Sequence, residues 1–342
     1  MKKLSVIVSL LLLCASAVFA APAPAKGAAK GDYVLKIGYA VQGGLCEAPF
    51  YIAIAKGFYE EEGLKYEWVN VEPGTAMNLL TTGQIDVVNN LLATLIAPLA
   101  NGLDVKIPLA LHTGCVKLLV KPNSPIKSAA DLAPVNGKKK KIGVASMNAS
   151  TRVIPARVIA KLGINPDTDV EWVIYPNAEL PLALEKGLVD AIGSGDPAAT
   201  IIESQGKARV VINNADGELA HEFCCVTPVR SKTLKDHPEE VAKFLRALQK
   251  AAKWVQEHPD ETTQILYEKK YIAGDPKLNA KVLKTYSYKA SVSEAKTAIE
   301  RNVRDLQSIG MLKKDVDVKK LVNNTYYAVP GVPDSLFGKG SK

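Results

Sequence analysis

The stretch "YVLKIGYAVQGGLCEAPFYIAIAKG", residues 33–57, runs from a β-rich segment through a polar loop into an apolar run of helical length, and stops at a glycine. A strand followed at once by a helix is one half of a strand-helix-strand unit. Its repetition along a chain predicts a largely parallel sheet covered by helices. The repetition is present. "KYEWVNV" (65–71) reads as a second strand, "EPGTAMNLLTTGQ" (72–84) as a turn and helix, and "IDVVNN" (85–90) as a third strand. "NLLATLIAPLANG" (90–102) reads as a third helix, and "KIPLALHT" (106–113) as a fourth strand.

The pattern then restarts. "KLLVKPNSPI" (117–126) is extended and carries two prolines, and "SAADLAPVNGKKK" (128–140) is a short helix and turn. "KIGVASMNASTRVIPARVIAKLG" (141–163) repeats the strand, polar loop and helix, as do residues 169–187 and 189–206. "ARVVINNA" (208–215) closes the set, and "HEFCCVTPVR" (221–230) is extended again. Beyond Ser231 the chain reads as helices. Val241, Phe244, Leu245, Leu248, Ala252 and Val255 recur at helical spacing over 239–257, and further helices are predicted near 260–268, 276–286, 293–308 and 318–324. Two α/β units joined by two extended crossings, with C-terminal helices, predict two lobes with a crevice between them. The expected hinges lie near Val120 and Val226. The expected division is 32–120 with 227–342 for the first lobe and 121–226 for the second.

The amino terminus fixes the compartment. Lys2 and Lys3 precede an apolar run over 4–18, and Val18-Phe19-Ala20 places small residues at the cleavage positions. A secretory signal cut after Ala20 is expected, followed by an Ala-, Pro- and Lys-rich leader over 21–31. Cys14 follows the bulky Leu13, where a lipoprotein signal calls for a small residue. Of 342 residues, 43 are Lys or Arg and 35 Asp or Glu, a formal charge of +8 that falls to +6 when Lys2 and Lys3 leave. The one dense basic run, Lys138 to Lys141, abuts the apolar Ile142-Gly143-Val144 and reads as a solvated turn; no aromatic interleaving suggests nucleic acid. There is no Walker motif and no GxGxxG, and His221, His237 and His258 pair with no candidate nucleophile.

In open α/β sheets guests bind beyond the carboxyl ends of strands, where loops lead into helix amino termini. Those loops here are 42–47, 74–77, 89–94, 112–115, 146–151, 177–179 and 193–196, and they are rich in Gly, Ser, Thr and Asn. Cys46 and Cys115 lie in two of them, and the vicinal pair Cys224-Cys225 lies on the returning crossing, so three cysteine-bearing segments converge on the cleft. In an oxidising compartment a disulfide is the ordinary use of cysteine. The residues leave open Cys46 with Cys115, either of these with Cys224 or Cys225, and four free thiols. Together with His112 the same cysteines suit zinc or another soft ion, although no CxxC pattern supports it. Phe50, Tyr51 and Tyr175 could flank an organic guest or pack beneath the loops.

"APFYIAIAKGFYEEEGL" (48–64), "TTGQIDVVNN" (81–90) with Gly74-Thr75-Ala76 before it, "SAADLAPVNGKKKKIGV" (128–144), "ALEKGLVDAIGSGDP" (183–197) and "HPEEVAKFLRALQKAAKWVQEHPDE" (237–261) together resemble the nitrate/sulfonate/taurine class of ABC-transporter solute-binding proteins. The resemblance implies a type II periplasmic binding fold that closes around one small molecule and delivers it, as a monomer without a cofactor, to a membrane permease. Carried onto this sequence it draws the ligand shell from Gln42, Gly43, Gly44, Glu47, Thr75, Asn90, Thr113, Ser146, Asn148, Ser150, Asn177 and Asp196; Cys46 and Cys115 join that set by their position in the loops. Glu47 and Asp196 depart from what an anion binder prefers, since an unpaired buried carboxylate beside an anion is costly. Asp196 can instead cap the helix at Pro197. The chain also resembles the yeast-type thiamine-pyrimidine synthase, which has a cysteine-rich run on the same crossing. Where that enzyme places a cofactor-holding lysine and a histidine donor, this sequence has Asn90 and Thr94, and neither can form a Schiff base.

Overall fold

Leu35 and Ile37 alternate inward along the strand Leu35–Tyr39 and are fully buried, as a strand with one face on a core requires. The computed structural model describes residues 33–40, 44–72, 75–147 and 149–337, without the side chain of Glu218. The expected signal, its cleavage after Ala20, the leader, Cys14, Gln42, Gly43 and Asn148 lie outside the described residues. No described helix is long and apolar enough to cross a membrane.

Leu35–Tyr39 pairs in parallel with Tyr66–Asn70. The third expected strand, residues 85–90, is reduced to bridges from Val87 to Ile37 and Val229 and to the two-residue strand Asn90–Leu91. The segment still bonds to both neighbours through its backbone, the Asp86 amide to the Lys36 carbonyl at 2.8 Å and the Arg230 amide to the Asp86 carbonyl at 2.9 Å, while the buried Asp86 carboxylate takes the Lys36 amide and the Tyr33 and Thr233 hydroxyls. Residues 106–113 split into Val105–Lys106, paired with Val229–Arg230, and Ala110–Thr113. In a small antiparallel sheet Phe223–Val226 lies between Ala110–Thr113 and Asn90–Leu91.

The second sheet has five strands in the order Arg209–Asn213, Val116–Val120, Ala191–Gly195, Lys140–Val144, Val170–Ile174. The pairings among the last three are parallel, as the strand-helix repeats predict, and the two made by Val116–Val120 are antiparallel. The sheet is therefore mixed. Val116–Val120, read from sequence as part of the first lobe and its tether, is an interior strand of this sheet, and its uninterrupted burial fits a strand covered on both faces. The backbone turns just before it: Gly114 and Cys115 both have positive φ, 76° and 140°, which is strained for a residue with a side chain. By its contacts, the chain from Tyr33 onward is one compact unit.

Five C-terminal helices fall at or within two residues of their expected starts, Pro238–Glu257, Pro259–Glu268, Pro276–Leu283, Val292–Ser308 and Val318–Thr325, but the third, expected to run to 286, stops at Leu283. Asp275, Ser291 and Asp317 cap the last three through their side chains. Three begin with proline, which lacks the amide that a helix start leaves unpaired. Lys138, Lys139 and Lys141 are exposed ahead of the buried end of Lys140–Val144.

Gly193, in the middle of Ala191–Gly195, allows the helix Ser150–Lys161 to sit directly on the sheet. A Cβ there would lie 2.1 Å from the Thr151 carbonyl oxygen. Gly193→Ala is expected to lower stability by about 1–3 kcal/mol, because backbone cannot yield as a flexible side chain can. Urea unfolding followed by circular dichroism reads this directly, and an unchanged midpoint would refute the close approach.

Candidate functional site

The residues between Leu35–Tyr39 and the helix Ala48–Ala55 bring Gly44, Cys46 and Glu47 to the carboxyl end of that strand. His112, Thr113 and Cys115 arrive at the end of Ala110–Thr113, and Cys224 and Cys225 come back along Phe223–Val226, where Cys225 is in register with His112. Tyr286 and Tyr288 follow the helix Pro276–Leu283, held there by Ser287, whose carbonyl takes the Thr113 amide at 3.0 Å. From the second sheet comes Asp196, past the end of Ala191–Gly195.

These segments build a cluster of five ligand-type side chains, four of them buried and Cys46 partly so. A ring nitrogen of His112 and the sulfurs of Cys46 and Cys225 lie within 4.8 Å of one another, and so do the sulfurs of Cys115, Cys224 and Cys225. None of the four described cysteines is in a disulfide; the Cys115 and Cys224 sulfurs are 3.4 Å apart. The Cys224 sulfur lies 2.9 Å from the Gly114 carbonyl oxygen. His112 is fully buried, stacks parallel to Tyr286 at 5.5 Å and leans on Tyr288 at 5.0 Å. Its Nδ1 lies 3.1 Å from the Thr113 carbonyl oxygen, whereas Nε2 has no hydrogen-bond partner. Burial pulls the imidazole down, but the Cys224 and Cys46 sulfurs outweigh it and raise His112 to about 10. A hydrogen bond from Cys225, against burial and aided by His112, holds Cys46 down to about 6.

The two carboxylates that argued against an anion are both compensated. Burial, then the charge of Cys46, pushes Glu47 up to about 8, so it is neutral at pH 7. Its Oε2 is 3.0 Å from the Tyr51 hydroxyl, which donates to the Ala40 carbonyl at 2.6 Å; a protonated Glu47 completes this chain by donating to Tyr51. Asp196 is ion-paired with Lys117 at 3.3 Å. Its Oδ1 accepts from the Thr200 amide and hydroxyl at 3.1 and 2.7 Å, and its Oδ2 from the Tyr286 hydroxyl at 3.1 Å. The bond to the Thr200 amide, in the first turn of Ala198–Ser204, is the capping role expected from sequence. The bonds to Lys117 and Tyr286 were not foreseen.

Gly44 belongs with this cluster: a Cβ on it would come within 3.1 Å of the Cys46 sulfur and 3.2 Å of the Asp196 carbonyl oxygen, so the absence of a side chain lets the two sheets' loops touch. Thr113 is buried there as well. Other expected ligand residues make local bonds instead. The Thr75 hydroxyl donates to the Glu72 carbonyl, and Asn90 accepts from Thr94. Ser150 is buried at the start of its helix, while Ser146 and Asn177 are exposed. Phe50 and Tyr51 are buried beneath the loop, Phe50 edge-on to Phe244 and Tyr51 stacked on Tyr271 at 4.7 Å, so they pack the floor. Tyr175 packs against the core of the second sheet. Lys117, Tyr286 and Tyr288 escaped sequence reading. The only signal for Lys117 was a charge inside the apolar run "VKLLV".

Two hollows lie near these segments, and one of them touches the cluster at Cys224. One, about 10 Å³, lies between Ile154, Asn214, Phe223, Cys224 and Asn302, and has room for about one water. The other, about 330 Å³, is lined by Tyr39, Tyr51, Tyr66, Trp68, Lys270 and Tyr271.

A family model described as "NMT1/THI5 like" matches residues 47–262. A Bacillus subtilis (strain 168) protein named for binding aliphatic sulfonates is 27% identical over 328 residues, 92% of this chain and 95% of the relative. Among solved structures, the periplasmic aliphatic sulphonate binding protein SsuA of Escherichia coli superposes with a TM-score of 0.70 at 19% identity, covering 90% of this chain and 95% of that one. The periplasmic nitrate-binding protein NrtA of Synechocystis PCC 6803 gives 0.71 at 18% identity and covers 86% of each chain. The fold is thus the periplasmic binding protein fold.

Proposed function

The chain belongs to the NMT1/THI5-like family, and from that membership we propose that it is the extracytoplasmic solute-binding component of an ABC importer, acting as a monomer without catalysis. The observation that carries the reading is the junction of the two sheets. There Gly44, Cys46 and Tyr286 from one side meet Asp196 from the other, beside the outgoing turn at Gly114 and Cys115. In this reading residues 33–115 with 224–337 form one lobe and 116–223 the other, a division supported by the membership of Val116–Val120 in the second sheet. A guest contacting both lobes favours the closed arrangement by its differential affinity for it.

The relative named for aliphatic sulfonates supports a small organic anion as guest. The two carboxylates do not oppose an anion there, because Glu47 is neutral and Asp196 is paired with Lys117. The shell we assign is Gly44, Cys46, Thr113, Cys115, Ser150 and Asp196, together with Gln42, Gly43 and Asn148. The basic, apolar amino-terminal run supports secretion with cleavage after Ala20.

Thermal unfolding against alkanesulfonates, taurine, nitrate, pyrimidines and transition-metal ions tests this reading. A guest held at a hundred times its Kd adds about 2.7 kcal/mol to the folded state and raises the melting temperature accordingly. A flat response across the panel, or turnover of any member, would sink the importer reading.

A further inference from the structure

We propose that Cys46, His112 and Cys225, backed by Cys115 and Cys224, form a binding site for one thiophilic d10 cation, zinc(II) or copper(I). Soft thiolates and imidazole are the donors such ions select, and the set mixes both types. The donors come from three separate segments, residues 46, 112–115 and 224–225, so their convergence is a property of the fold rather than of one loop. The spacing also fits. With metal–sulfur bonds of about 2.3 Å, the corners of a tetrahedral site lie about 3.8 Å apart. Cys115 and Cys224 are already at 3.4 Å, and the Cys46, His112 and Cys225 donors, all within 4.8 Å, need move by about an ångström.

Two further features separate this cluster from cysteines that merely fill a core. His112 is fully buried with Nε2 unpartnered, an expensive condition for a polar atom unless something completes it. Its Nδ1 faces the Thr113 carbonyl, the outer-shell arrangement that fixes the tautomer of a metal-ligating histidine and leaves the other nitrogen free to bind. The ion takes its donors as thiolate and neutral imidazole, so any proton they carry leaves for solvent on coordination. In naming a soft cation as cargo the proposal rests on the importer reading; as a binding site it stands without it.

The test uses the full secreted chain, reduced, freed of metal with a chelator and titrated anaerobically with Co²⁺ as a spectroscopic stand-in for zinc. Thiolate-to-cobalt charge-transfer absorption saturating at one equivalent is expected, with displacement by zinc. Cys46→Ser and Cys225→Ser should each weaken binding at least 100-fold while the circular dichroism spectrum is unchanged. Less than half an equivalent bound by the wild type, or affinity within threefold of wild type in a folded Cys46→Ser variant, overturns the site. Small-angle scattering separates the two readings. A smaller radius of gyration with metal supports the cation as cargo; metal binding without that change keeps the site and overturns the cargo role. A sulfonate that compacts a chain unable to bind metal sustains the importer reading and overturns the cation site.

Discussion

Asp196→Ala is expected to lower the stability of the chain by about 3–5 kcal/mol, because it leaves the ammonium of Lys117 buried without its counter-charge. The Lys117 side chain is 11% exposed and the Asp196 side chain is fully covered, so water cannot make up the loss. The Thr200 hydroxyl would still accept from Lys117 at 2.6 Å, but a neutral oxygen does not balance a charge. Glu203, at 3.9 Å and partly exposed, offers only a weak substitute. Asp196→Asn, which keeps the shape and the one acceptor oxygen that the Thr200 amide and hydroxyl use, is expected to cost less, about 1–3 kcal/mol. Replacing the pair together, Asp196→Leu with Lys117→Met, should recover much of the loss, since a buried ion pair is often no better than apolar groups of similar volume. Urea unfolding of the variants gives the ordering. A wild-type midpoint for Asp196→Ala would mean that the pair is not buried in solution.

Asp196 also shows what the sequence could and could not convey. Its capping role was legible because a carboxylate ahead of a helical stretch is a local pattern. Its bond to Tyr286 joins residues ninety positions apart and leaves no local trace. The convergence of the cysteine-bearing segments was readable from the order of strands and crossings alone, since strand ends share one edge of an α/β layer. The free state of the thiols and the unpartnered nitrogen of His112 depend on side-chain placement at the level of an ångström, which no spacing encodes. Thr75 and Asn90 looked like a ligand shell because polar loop residues that bind a guest and those that brace their own loop have the same composition; their hydroxyl and amide partners turned out to lie within four residues. The long C-terminal helix was the clearest reading, because its apolar period persists over five turns.

That helix carries the second large effect. Phe244 is fully buried on Pro238–Glu257, edge-on to Phe50 at 5.8 Å and stacked against Tyr59 at 5.8 Å. It thereby locks the long helix onto Ala48–Ala55 and Phe58–Glu61, the helices that follow the Cys46 loop. Phe244→Ala removes the shared ring of both aromatic pairs and opens a cavity between three helices, for an expected loss of about 3–5 kcal/mol. Phe244→Leu, which fills most of the volume, should cost less than about 1.5 kcal/mol. The consequence reaches the site because Phe50 is the third residue of the helix that starts immediately after Glu47. With the Phe50 contact loosened, the loop bearing Gly44, Cys46 and Glu47 loses its floor. Binding of any guest at the junction should then weaken along with stability, in Phe244→Ala far more than in Phe244→Leu. A Phe244→Ala protein that unfolds within 1 kcal/mol of wild type would show that the helices hold together without this contact; one that loses stability but binds as tightly as wild type would show that the loop is braced from elsewhere.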